Sequence, residues 1–359
     1  MLNGRKAVRT LPVYHPPLSG RNGLRLDFNE NTVGCSPRVL ARLRQIGVEE
    51  LARYPEREPV EAVVAGYLKV KPEELLLTNG VDEAIHLICE TYLEPDDEVL
   101  IVVPTFSMYE IFARAPGTRI INIPAGVNFS YPTHTILRHI TPATRLIAIA
   151  NPNNPTGAAA LEEELMLVAR SAPNAAVLVD EAYFEFHGHT LLGKWRELPN
   201  LFVAHTFSKA YGLAGLRAGV LMGDAQQMSA VRRVASPYNV NSVALACLPE
   251  ALEDEAYVAH YVNEVCDGRE RLQRELQNLG IPFWPSRANF VLMRMGEANA
   301  GFVQAMRDRG ILVRDRSRDP GCEGCVRITL GSLEQTDRLL AVLREVLPKI
   351  GVTVQEVRP

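Results

Sequence analysis

RLIAIANPNNPTG, residues 145–157, is the stretch whose reading decides the fold. After Arg145 five apolar residues stand in succession, with no polar residue at alternate positions to face water. Such a run reads as a strand buried on both faces, as in a parallel sheet. The heptapeptide that follows, NPNNPTG, ends it, because Asn, Pro and Gly each supply turn geometry.

The same unit, a buried run that stops on a polar turn, recurs at LLLT (75–78), EVLIVV (98–103), RIINI (119–123), AVLVD (176–180), LFVAH (201–205) and LRAGVLM (216–222). Amphipathic stretches such as VDEAIHLICETYL (81–93) and LEEELMLVARSA (161–172) separate several of them and read as helices. The alternation predicts an α/β chain: a large domain with a mostly parallel seven-stranded sheet flanked by helices. In such sheets ligands bind beyond the carboxyl ends of the strands, so the residues just after each run are the place to look.

The last hundred residues change style. Long charged helical segments precede the short strands NFVLMRM and CVRITL and a closing helix around TDRLLAVLREVL, with Ser332 and Gln335 placed as its capping box. The expected organisation is an amino-terminal arm (1–45) that joins a small domain, a large domain (46–250) and a smaller α+β domain (251–359). The arm, rich in Pro and Gly, has no core of its own and is expected to run across the surface.

Composition narrows the partners. The chain has 359 residues, enough for two domains and a buried pocket. A net charge of −4 gives no basic footprint for nucleic acid. No stretch reaches the eighteen or so apolar residues of a membrane span, and MLNGRKAVRT lacks a signal-peptide apolar region, so a cytoplasmic protein is expected. Six cysteines are too sparse for a disulfide framework. Cys322 and Cys325 have metal-ligand spacing but no second pair completes four ligands, and no metal site is expected.

The ends of the buried runs offer TNGVDEAI, PTFSMY, NPNNPTG, DEAYFEF and TFSK. Taken singly these have bland readings: Asp180 caps a helix, Tyr183 packs in a core, Lys209 is a solvated charge, NPNNPTG is only a turn. Together and in this order, with G-L-R ending eight residues past the lysine, they resemble the pyridoxal-phosphate-dependent aminotransferases of class I/II, fold type I. The resemblance runs over nearly the whole chain.

It implies a pyridoxal 5′-phosphate cofactor and assigns residues to it. Lys209 is the amine that condenses with the cofactor's aldehyde and later shuttles a proton. Asp180 faces the ring nitrogen and keeps it protonated, Tyr183 and Asn154 donate to the phenolate oxygen, and Phe106 stacks on the ring. Gly80 and Val81, at a helix amino terminus, with Thr206, Ser208 and Arg217, take the phosphate. Asp82 belongs to the same turn, although a carboxylate beside a phosphate is unexpected. Tyr54 of RYPE reaches the phosphate in the other subunit, which makes the active site a homodimer's. Gly212 and Gly215 are expected to let the loop after the lysine bend closely round the cofactor.

Within the class, LVRDRS followed by VRITLG and the early YHPPLSGRNGLRLDFNENTVGCSP resemble histidinol-phosphate aminotransferases. That implies substrate contacts from Tyr14, Arg314 and Arg327, with Arg327 on the α-carboxylate. A donor with a phosphate and an acceptor with two carboxylates both suit a pair of guanidinium forks. For Arg314 the competing reading is a surface ion pair with Asp315 or another acid. Tyr109, Asn29 and Glu30 are candidates to meet an imidazole ring. Aromatic-amino-acid aminotransferases and threonine-phosphate decarboxylases share the framework. A non-catalytic effector-binding domain on this fold is the alternative of a different class, disfavoured by the joint presence of Lys209, Asp180 and Tyr183 and by the lack of a helix-turn-helix or basic arm.

Overall fold

A computed structural model describes residues 2–11, 13–15 and 20–352. Its strands are β1 (Leu24–Arg25), β2 (Leu75–Thr78), β3 (Glu98–Val103), β4 (Arg119–Pro124), β5 (Thr144–Ala150), β6 (Ala176–Asp180), β7 (Leu201–Thr206), β8 (Gly219–Gly223), β9 (Phe283–Trp284), β10 (Phe290–Arg294), β11 (Ile311–Leu312), β12 (Arg314–Asp315) and β13 (Cys325–Thr329). Seven of them form the central sheet in the order β2-β8-β7-β6-β5-β3-β4. All neighbours are parallel except β8, which runs against both β2 and β7.

Alternation along the buried strands explains why their runs are apolar throughout; β4, at the sheet edge, is the exception, with Ile123 alone buried and Asn122 exposed, so RIINI is not a run buried on both faces. Leu77, Ile147, Val179, Val203 and Val220 pack into the core on one face, and Leu76, Ala148, Leu178, Ala204 and Leu221 into the core on the other. Either face would strand a polar side chain at these positions, so no residue in the strand middles can be polar at low cost.

The run at 216–222 is the one whose bounds differ by more than a residue. Its strand starts only at Gly219, because Arg217 takes a left-handed backbone (φ 57°) and turns the chain into an antiparallel path. β8 therefore presents its beginning, and Arg217 just ahead of it, at the edge where the other strands present their ends.

The second sheet is antiparallel, ordered β12-β13-β10-β9. The helices Glu255–Asn278 and Leu333–Lys349 pack together beside it; Ser332 Oγ accepts the Gln335 N–H and Gln335 answers at the Ser332 N–H, which is the expected capping box. The amino-terminal segment is less superficial than its composition suggests. β1 pairs in parallel with β11, the Leu26 N–H bonds Leu312 O, and Leu26 O accepts from the Thr329 N–H. Leu26, Asp27 and Asn29 are buried as a result, and residues 24–29 tie the small sheet to the end of the cavity described next.

Candidate active site

Beyond the carboxyl ends of β5, β6 and β7 lies a cavity of about 770 Å³. Val81, Asp82, Phe106, Asn154, Asp180, Tyr183, Thr206, Ser208, Lys209 and Arg217 line it from the large sheet, Tyr14 from the amino-terminal arm, and Arg314 and Arg327 from the small sheet. Gly80 stands directly behind Arg217. Tyr54 lies outside the cavity, 78% exposed and stacked on Tyr238 with ring centroids 4.2 Å apart.

β6 delivers Asp180 at its last residue, fully enclosed. One carboxylate oxygen accepts from the Tyr109 hydroxyl at 2.6 Å and the other from the Ala182 N–H at 3.0 Å. Burial pushes its carboxyl up to about 6 in spite of those two donors. It is still a carboxylate at neutral pH, held rigid at the cavity floor. Tyr109 spends its hydroxyl on Asp180, so it is a support for that carboxylate and not a free group for substrate.

Lys209 follows β7. Among the described residues its ammonium bonds only Phe28 O, at 3.3 Å, and burial, with the charge of Arg327 next, pushes it down to about 8. A lysine so placed reaches its neutral, nucleophilic form near physiological pH. The Tyr183 hydroxyl accepts from Asn29 Nδ2 at 2.8 Å, and the same Asn29 accepts from Thr329 Oγ1 at 3.1 Å, so the arm and the small sheet both hold Tyr183. Asn29 and Glu30 are thereby committed, Glu30 to Arg21 at 2.7 Å.

The turn after β2 meets the start of β8 at a cradle where side chains do not fit. Gly219 pairs with Thr78 on one side and Thr206 on the other, and a Cβ there would lie 2.7 Å from the Gly80 carbonyl carbon. Gly80 has φ 74°, and a Cβ on it would lie 2.6 Å from Arg217 Nη2. Arg217 donates to Asp82 at 3.0 Å. That accounts for the acid in this turn: Asp82 aims the guanidinium. Gly212 does permit a close approach (φ 70°), but to Gly34 O and not to the cavity, and nothing crowds Gly215.

Arg327 is buried and bonds Asn154 Oδ1 and, at 2.7 Å, Asp27 O. Its Nε has no partner among the described residues. Arg314 stands opposite it in register on β12. Arg314 packs over the Phe28 ring (5.1 Å to the centroid) and forms no ion pair with Asp315, whose carboxylate accepts from Ser317 instead.

Residues 21–343 match the family model of aminotransferase class I and II. The chain is 34% identical to a histidinol-phosphate aminotransferase of Thermoanaerobacter pseudethanolicus, over 90% of this chain and 93% of the relative. It is 37% identical to one of Caldanaerobacter subterraneus subsp. tengcongensis, over 82% and 83%. The fold superposes on histidinol-phosphate aminotransferase from Sinorhizobium meliloti in complex with pyridoxal-5′-phosphate with a TM-score of 0.87 at 24% identity, covering 98% of this chain and 99% of that one. The chain belongs to aminotransferase class I and II.

The cofactor of this aminotransferase is pyridoxal 5′-phosphate, and the residues present fit it. The glycine cradle beside Arg217, Thr206 and Ser208 suits a phosphate. The depressed Lys209 suits the aldehyde, and the enclosed Asp180 suits a protonated ring nitrogen. Arg316, Arg318 and Asp319, all lining the small-sheet side, are among the pocket residues not anticipated from sequence. The alternation in VRDRSR, arginines two apart on a strand, was the available signal.

Proposed function

We propose that this aminotransferase transfers the amino group of L-histidinol phosphate to 2-oxoglutarate, giving imidazole acetol phosphate and L-glutamate, in a reversible ping-pong reaction. One observation carries the reading: Arg314 and Arg327, in register on adjacent strands, face the cavity that holds Lys209 and Asp180. Both relatives named above are histidinol-phosphate aminotransferases, which supports it.

When bound, the cofactor supplies an electron-withdrawing ring that stabilises negative charge developing at the substrate's α-carbon. Thr206, Ser208, Arg217 and the N–H groups of Gly80 and Val81 would hold its phosphate, with Asp82 fixing the angle of Arg217. Phe106 would cover the ring face, Tyr183 and Asn154 would donate beside its phenolate, and Asp180 would sit against its ring nitrogen. Lys209 Nζ, neutral above about pH 8, takes the proton from the α-carbon and returns one in the other half-reaction. Arg327 receives a carboxylate.

The reading includes a homodimer in which Tyr54 reaches the partner's site; its exposure on the single chain supports this. It also includes an arm (1–45) and a carboxy-terminal unit (251–359) working as one small domain on the large domain (46–250), supported by the pairing of β1 with β11. A cytoplasmic location fits; among the described residues no helix is long and apolar enough to cross a membrane.

The test is a single half-reaction. Cofactor-loaded protein is mixed separately with histidinol phosphate, phenylalanine or threonine phosphate while the cofactor's absorbance is followed. Rapid conversion by histidinol phosphate is expected. Conversion by phenylalanine alone, or CO₂ release from threonine phosphate, would replace this reading with one of its rivals.

A further inference from the structure

The face that carries Arg314 and Arg327 carries a third guanidinium. Side chains two residues apart on a strand share a face. Arg316 extends the pairing of β12 by donating its backbone N–H to Cys325 O at 2.9 Å, so it follows Arg314 on the side opposite Arg327. All three line the cavity. The Arg316 side chain is only 15% exposed, pairs with the Asp319 carboxylate, and leaves Nε buried with no partner among the described residues.

Charge in this corner does not balance. Among the described residues neither Arg314 nor Arg327 makes an ion pair, and Asp319 is engaged by Arg316 alone. Burial, and next the charge of Arg316, push the Arg327 guanidinium below its ordinary value, while Arg314 contributes less. A guanidinium does not shed its proton in a protein. The corner therefore holds two uncompensated positive charges in a partly desolvated wall, and it is complementary to a ligand with about two negative charges, as one phosphate or two carboxylates.

We propose that Arg316 is a specificity-determining residue of this aminotransferase: it receives the phosphate of the donor in one half-reaction and the distal carboxylate of the acceptor in the other, and Asp319 holds it until that group arrives. The proposal rests on the transamination reading above. Asp319 removes the cost of a buried unpaired cation in the free site. A fork on phosphate or carboxylate replaces it in the complex. Arg318, exposed at the rim, stays solvated in both states.

The experiment compares matched substrates. Acceptors are 2-oxoglutarate and 2-oxopentanoate, of equal chain length with and without the distal carboxylate; donors are histidinol phosphate and histidinol. In Arg316→Gln the ratio of kcat/KM for the member that carries the phosphate or distal carboxylate to the member that lacks it is expected to fall about ten-fold or more on both arms, with the loss in KM. Arg316→Lys should retain part of the ratio, and Asp319→Asn should raise it. Equal losses for both members of each pair mean that Arg316 only supports the fold, which overturns the proposal. Should Arg316→Gln fold poorly, unchanged ratios in Arg316→Lys and Asp319→Asn overturn it just as well. If the wild-type protein ignores histidinol phosphate but accepts phenylalanine, the substrate reading has failed, and the acceptor arm run with phenylalanine still decides for or against Arg316.

Discussion

Lys209, the proposed catalytic amine, shows how burial tunes a residue and what the tuning costs. Its native value, about 8, lies below the ordinary 10.5, so between those values the unfolded chain binds more protons than the folded one. Stability of the cofactor-free protein must then rise with pH across that window and be lowest below it. At pH 7 the buried charge costs on the order of 3 kcal/mol. Lys209→Met should stabilise the cofactor-free protein by an amount of that order at pH 7, abolish the rise between pH 8 and 10.5, and lose nearly all turnover. Urea denaturation at several pH values reads the first two effects; an unchanged pH slope in the variant would mean that Lys209 is not the titrating group. At this scale the residues that line the cavity from the large sheet were legible because they stand near strand ends that the apolar runs mark. The second layer was not legible. The bond from Tyr109 to Asp180 and that from Asn29 to Tyr183 join residues 71 and 154 positions apart, and no local pattern encodes them.

Elements position the site through one reversal. If β8 ran parallel to its neighbours, Arg217 would lie at the far edge of the sheet from Thr206 and Thr78. Its antiparallel course puts Gly219 between those two threonines and Arg217 over the Gly80 turn. The apolar run at 216–222 announced a strand, but hydropathy carries no direction, so the reversal was invisible in the sequence. Gly219 carries the packing consequence. Gly219→Ala would drive a methyl group into backbone at Gly80 and Val81, where neither neighbour is a flexible side-chain end. The phosphate cradle would open, and cofactor affinity should fall at least ten-fold, about 1.4 kcal/mol, while the far-ultraviolet spectrum stays close to wild type. Titration of the variant with pyridoxal 5′-phosphate measures this; wild-type affinity would show that the cradle tolerates the methyl.

At the scale of the whole molecule, the sequence marked two styles of chain, and both sheets appear, but it placed the amino-terminal arm too far outside. An arm without its own core can still be buried when its backbone bonds two other segments, as residues 24–29 do with β11 and β13. Tyr54 raises the opposite question: a tyrosine 78% exposed and stacked on Tyr238, itself 54% exposed, leaves an aromatic pair in water on the single chain. In a two-fold dimer the same patch serves both partners, so each site would take Lys209 from one chain and Tyr54 from the other. Chains carrying Tyr54→Ala and chains carrying Lys209→Ala should each be nearly inactive alone. Mixed in equal amounts and allowed to exchange, half of the dimers pair one of each, and one of the two sites in such a dimer is intact. Recovery of roughly a quarter of wild-type activity is therefore expected. Absence of recovery, with subunit exchange verified by mass, would place Tyr54 outside the partner's site and leave each chain with a complete site of its own.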